Sequence, residues 1–146
     1  MRVNRLLYKA RRKLLYFAVA FLLKVIDIAL NRTSYKRVTS ILLRLSPRPD
    51  PKKEDFKRAF KWGGIVNGVA NHPTLQATCL RRSLTSWWLL RWQGIPSDIR
   101  IGVNMTSGHA WLEHHGYIVN DHPEVAKKFP IVYTDELTPE KLATII

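Results

Sequence analysis

Apolar residues are dense from position 4 to position 30 and sit among strong helix formers, so this stretch reads as one long helix. Val38, Ile41, Leu42 and Leu45 fall on one helical face and predict a second helix over residues 34–45. Ser46-Pro47-Arg48-Pro49-Asp50-Pro51 stops it, because proline lacks the backbone donor that a helix interior needs. A third helix is expected to open at Asp50 or Pro51, with Glu54 and Asp55 in its first turn and Phe56, Ala59 and Phe60 on its apolar side. Gly63-Gly64 and Asn71-His72-Pro73 predict a break and a second start. The next helix begins near Cys79 and runs to about Gln93, where Gly94-Ile95-Pro96 ends it. The period then changes. Asp98 to Val103 alternates as a strand does, and His109 to Glu113 and Tyr117 to Asp121 predict two more. Pro130 to Tyr133 suits a fourth strand, and Thr138-Pro139-Glu140 suits the start of a short helix. Helices first and antiparallel strands second predict an α+β fold, with a small sheet packed on the Cys79 helix.

Length and charge refine this picture. A chain of 146 residues has room for one core. The proline stop divides it into a basic helical segment, residues 1–50, that packs on a main body, residues 51–146. Residues 1–61 hold 17 Lys/Arg and 4 Asp/Glu, a balance of +13, whereas residues 62–146 hold 7 of each and balance to zero. The basic part therefore suits an acidic partner, a membrane surface or nucleic acid, while the neutral part is free to carry chemistry. Leu14 to Leu23 are ten apolar residues between Lys13 and Lys24. That is short of the roughly 20 residues a membrane span needs. Lys24 and Asp27 also interrupt the run where a secretory signal would place small residues for cleavage. A helix packed on the body is the plain expectation, and a helix lying on a membrane surface is the alternative.

Cys79 is the sole cysteine, which rules out an internal disulfide and a multi-cysteine zinc site and suits a reducing cytoplasm. His72, His122, Cys79 and His109 show no short metal-ligand spacing, so neither metal nor cofactor is expected. His109 follows Cys79 by thirty residues, and Asp121 follows His109 by twelve. A thiol, an imidazole and a carboxylate in that order are the parts of a thiol acyl-transfer site. A three-residue turn at His114-His115-Gly116 pairs His109 with Asp121 on one face of a hairpin, and Asn120 then faces the other side. A two-residue turn instead pairs Ala110 with Asp121. A helix N-terminus at Cys79, with Arg81 and Arg82 nearby, favours thiolate. It also offers the Cys79 backbone N–H to an oxyanion, while Gln76 is a candidate second donor by sequence proximity alone. His114 and His115, at the turn, are expected to be solvated. A lone cysteine is more often a small buried hydrophobe, so spacing alone leaves both readings open.

Cys-Leu-Arg-Arg-Ser-Leu at residues 79–84, Gly94, Ile101-Gly102-Val103, and His109-Ala110-Trp111 with Glu113 and Gly116 together resemble the leader peptidases of lasso-peptide biosynthesis. These are transglutaminase-like cysteine proteases with a papain-related core. The resemblance covers residues 60–125 most closely. It implies Cys79 as nucleophile, His109 as base and Asp121 as the acid that orients it. It further implies a bacterial cytoplasmic enzyme acting on a precursor peptide, with a separate leader-recognition protein and an ATP-dependent lasso cyclase as partners. Peripheral contact with the inner membrane through the basic helices is compatible with it, and nucleic acid is not expected. Two other readings remain beside it: a transglutaminase-like acyltransferase using an amine acceptor, and a non-enzymatic protein that binds nucleic acid or membrane through its basic segment.

Overall fold

The structure is a computed structural model and describes residues 2–133. Four longer helices come first: α1 (Arg2–Arg32), α2 (Tyr35–Arg44), α3 (Phe56–Ala70) and α4 (Cys79–Trp92). Strands β1 (Asp98–Val103), β2 (Gly108–His114) and β3 (Tyr117–Ile118) follow, then a one-turn helix α5 (Val125–Lys128) and strand β4 (Ile131–Tyr133). The sheet is antiparallel with order β3-β2-β1-β4. The fold is α+β, as the change of period predicts. The expected helix at Thr138 lies outside the described residues.

Helix α4 is the hub. Its Leu80, Leu84, Trp87 and Leu90 meet Ile26 of α1, Val38 and Leu42 of α2, Ala59 of α3, and Ile101, Ala110 and Leu112 of the sheet in one core. A second cluster joins Val19 and Leu23 of α1 to Val66, Val69 and Ala70 of α3 and Ala77 ahead of α4. Burying side chains of this size contributes roughly 1.5–3 kcal/mol each, so α4 is fixed from all sides. Polar links reinforce it: Trp88 Nε1 donates to the Leu42 carbonyl at 2.9 Å, and Arg91 Nε donates to Ser46 Oγ at 2.8 Å. Its C-terminus closes as the sequence predicts. Gly94 has φ +71°, and the Ile95 N–H reaches back to the Leu90 carbonyl, a Schellman arrangement.

Four local expectations are corrected. Helix α3 starts at Phe56 rather than at Asp50 or Pro51, because Asp55 is its N-cap and accepts the Arg58 N–H at 3.1 Å. It runs through Gly63-Gly64 without a break. A β-carbon on Gly63 would stand 2.1 Å from the Val119 carbonyl oxygen, so this glycine serves close approach to the hairpin rather than a bend. The β2–β3 turn has two residues, not three: His114 pairs with Tyr117. Its residues His115 and Gly116 have φ of 47° and 79°, the left-handed pair whose twist suits a tight hairpin. His114 is fully buried rather than solvated. Its Nδ1–H donates to the Pro96 carbonyl at 2.6 Å, and its Nε2 accepts the Asp55 N–H at 3.1 Å. This neutral ring ties the start of α3 to the sheet.

Candidate active site

The short strand β3 creates the site. Pairing stops at Ile118, although the next residues were expected to continue the strand to Asp121. Val119 N–H still donates to the Leu112 carbonyl at 2.9 Å. The return bond is different: Leu112 N–H donates to the side-chain Oδ1 of Asn120 at 2.7 Å. The amide thus stands where a strand carbonyl would stand, and the main chain turns off the ladder. Asn120 Nδ2 donates to Ser83 Oγ of α4 at 3.0 Å, and Asn67 Nδ2 of α3 donates to the Asn120 carbonyl at 2.6 Å. Three elements therefore hold the chain at the residue before Asp121.

The diverted chain delivers Asp121 to His109. The His109 Nε2–H donates to Asp121 Oδ2 at 2.6 Å. The observed two-residue register, if continued, would have set Asp121 opposite Ala110; leaving the ladder is what lets the carboxylate reach one residue further. Asp121 Oδ1 accepts the His122 N–H at 2.7 Å, so both carboxylate oxygens are engaged. The imidazole stacks on Phe129, with ring centroids 5.1 Å apart, and more distantly on Trp111. Gly102 admits this cover, since a β-carbon there would stand 2.5 Å from the Phe129 carbonyl oxygen.

Cys79 occupies the edge of β2 that β3 vacates. Strand N–H groups alternate between neighbours, so Ala110 N–H points to the same edge as Leu112 N–H. It hydrogen-bonds the Cys79 sulfur. Burial pushes the Cys79 thiol up, the largest single effect. The His109 hydrogen bond, the Ala110 N–H, the His109 charge and the Leu80 N–H together outweigh it and hold the thiol below its ordinary range. His109 is driven up to about 9, first by its hydrogen bond to Cys79, against desolvation, and then by Asp121 and the charges of both partners. With Nε2 committed to Asp121, Nδ1 is the ring nitrogen left for the thiol. The pair is poised as thiolate and imidazolium.

The helix end is left open for this purpose. Thr78 is the N-cap of α4, yet its side chain makes no capping bond to the backbone. Its Oγ1 accepts Arg81 Nη1 at 2.9 Å instead, leaving the first-turn donors to the sulfur and to a developing oxyanion. Arg81 itself turns to α1, where it pairs with Asp27 and donates to Asn31 Oδ1. Arg82 lines the cleft; its Nε donates to the Ala77 carbonyl at 2.7 Å and steadies the approach to Cys79. Gln76, the proposed second donor, is exposed and does not line the cleft. The cleft has a volume of about 610 Å³, and Cys79, His109 and Asp121 line it with Phe60, Asn67 and Arg82.

The comparison with known families matches residues 22–134 to the transglutaminase-like superfamily. The chain belongs to that superfamily. The transglutaminase-like match takes in the last third of α1, all of α2 to α5 and the sheet, so the Asp27–Arg81 link lies inside it. Members of the superfamily are typically cysteine peptidases or acyltransferases. No curated protein and no solved structure matches the chain. Among the described residues, no group of three or more His, Cys, Asp or Glu is arranged to hold a metal ion.

The residue spacing points to Cys79, His109 and Asp121, and all three line one cleft. Asn120, Ser83, Asn67, Gly63 and Phe129, which position them, lie outside that spacing pattern. Two of them stand out in the sequence for other reasons: Gly63 as an expected break, and Asn120 as the residue facing away from the His109–Asp121 side of the hairpin.

Proposed function

We propose that this chain is a cysteine peptidase that removes the leader from a lasso-peptide precursor. The observation that carries the chemistry is the lowered Cys79 thiol hydrogen-bonded to a raised His109 that Asp121 holds. The Cys79 thiolate attacks the carbonyl carbon of the last leader residue, and the carbonyl electron pair moves to oxygen. Cys79 N–H, at the start of α4, receives that oxyanion. The oxyanion collapses, the C–N bond breaks, and the His109 imidazolium gives its proton to the leaving amine. Neutral His109 then takes a proton from water, whose oxygen displaces sulfur from the thioester. Asp121 keeps the ring oriented throughout and supports its charged form.

The lasso-peptide assignment rests on the Cys-Leu-Arg-Arg-Ser-Leu and His-Ala-Trp pattern at its observed spacing. With it come a separate leader-recognition protein that delivers the precursor and an ATP-dependent cyclase that closes the ring on the freed amine. The test is a mass-spectrometric cleavage assay with precursor and recognition protein. Wild type should yield leader and core, each hydrolysed at the new ends, and Cys79→Ala should yield none. Unchanged cleavage by Cys79→Ala would overturn the mechanism. A product heavier than the leader by an added amine, in place of the hydrolysed leader, would reassign the chain to amine acyl transfer.

A further inference from the structure

Helix α1 is apolar on two opposite sides. One side is core: Val19, Leu23 and Ile26 are buried against α3 and α4. The other is open. Leu7, Ala10, Leu14, Phe17, Phe21, Val25 and Ile28 recur at spacings of three and four and are all exposed, Phe17 and Phe21 at 73% each. A stripe reaching from residue 7 to residue 28 on one helix face is roughly 30 Å long. Single exposed apolar residues need no explanation, but an unbroken row of this length does.

The charge around the row decides what covers it. Helix α1 carries Arg2, Arg5, Lys9, Arg11, Arg12, Lys13, Lys24 and Arg32 against the single acid Asp27, and Asp27 is paired with Arg81. At 100° per residue, Lys13 and Lys24 border one edge of the row and Arg11 the other. A second copy of the chain would bring two such cationic helices together, so like charge opposes self-association. An apolar row bordered by Lys and Arg matches the headgroup region of a negatively charged bilayer, where aromatic rings enter the acyl boundary and cations meet phosphate. The ten-residue run at its middle is too short to span, but the helix taken whole, Asn4–Arg32, has the length and composition to cross a bilayer. Spanning would strip Val19, Leu23 and Ile26 from the core and separate Asp27 from Arg81, so the packed face excludes that mode and leaves the surface mode.

We propose that the outer face of α1 docks this protein on an anionic phospholipid surface. This does not rest on the peptidase reading, because the face lies on the side of α1 turned away from α4 and its cleft. The test is flotation of the full chain with vesicles of phosphatidylcholine alone or with one-third phosphatidylglycerol. Wild type should bind the anionic vesicles at least tenfold more tightly, with binding lost at high salt. Phe17→Ser/Phe21→Ser should weaken binding at least tenfold with unchanged circular dichroism and urea midpoint, since both rings are largely outside the core. Arg11→Glu/Lys13→Glu, at the two edges of the row, should weaken it similarly, and Cys79→Ala should bind as wild type does. No binding by wild type, equal binding to both vesicles, or full retention by either double variant would overturn the proposal. So would a wild-type dimer that the double serine variant converts to monomer while neither binds vesicles.

Discussion

Replacing Asn120 by alanine removes the device that turns the chain toward His109. Two buried bonds go with the amide: the one from Leu112 N–H at 2.7 Å and the one to Ser83 Oγ at 3.0 Å. The bond from Asn67 to the residue 120 carbonyl can persist, because it is made to the main chain. Leu112 is fully buried, so its N–H is left without water or a protein partner. An orphaned buried donor costs about 1–3 kcal/mol, and the freed Ser83 hydroxyl adds about 1 kcal/mol, giving a loss of roughly 2–4 kcal/mol. In urea unfolding this is a midpoint fall of roughly 1–2 M at an ordinary slope. Asp121 also loses its anchor, so peptide cleavage should fall more steeply than the folded fraction does. Asn120→Ala/Ser83→Ala should cost less than the sum of the two single variants, since they share one bond. A loss below about 0.5 kcal/mol, with cleavage intact, would show that the main chain turns there without the amide and would refute the account of this bend.

Further expectations concern packing and charge. Gly63→Ala should destabilise by about 1–3 kcal/mol or more, because the Val119 carbonyl it meets is backbone and cannot turn aside; calorimetry and cleavage should both register it. His114→Leu removes the partners of the Pro96 carbonyl and the Asp55 N–H and should cost roughly 2–3 kcal/mol in urea unfolding, despite a good fit in volume. The rate of leader cleavage, measured as kcat/KM against pH, should rise on an acid limb below the ordinary thiol range and fall as pH passes through about 9. The sign follows from His109: its proton is bound below that value and supplies the leaving amine, and above it the proton is gone. Asp121→Asn should move the basic limb to lower pH, yet leave it above the ordinary imidazole value, because the Cys79 hydrogen bond is the larger cause.

Elements governed by local pattern were legible in the sequence. Helix α2 falls within the expected residues 34–45, Gly94 closes α4, and the alternation at Asp98 to Val103 is a strand. Each depends on a few neighbouring residues whose chemistry acts on their own backbone. Cys79, His109 and Asp121 were legible by residue type and spacing, but the route to their meeting was not. The three-residue turn that paired His109 with Asp121 is absent, and the pair forms because Asn120 replaces a strand carbonyl. That depends on Ser83 and Asn67, 37 and 53 residues away in the chain. Gly63 misled for the same reason: its partner, Val119, is distant in sequence, so its local meaning as a breaker was the only one visible. His114 looked solvated because the turn placed it at a tip, while the chain ahead of α3 folds over it.

The central claim is that Cys79 rests as a thiolate held by His109. Because Cys79 is the chain's only cysteine, alkylation by iodoacetamide, followed by intact mass against pH, reports this one group. The account expects a midpoint below that of an ordinary cysteine in wild type and a higher midpoint in His109→Ala, where only the Ala110 and Leu80 N–H groups still oppose burial. A wild-type midpoint at or above the ordinary value, unmoved by His109→Ala, would contradict it.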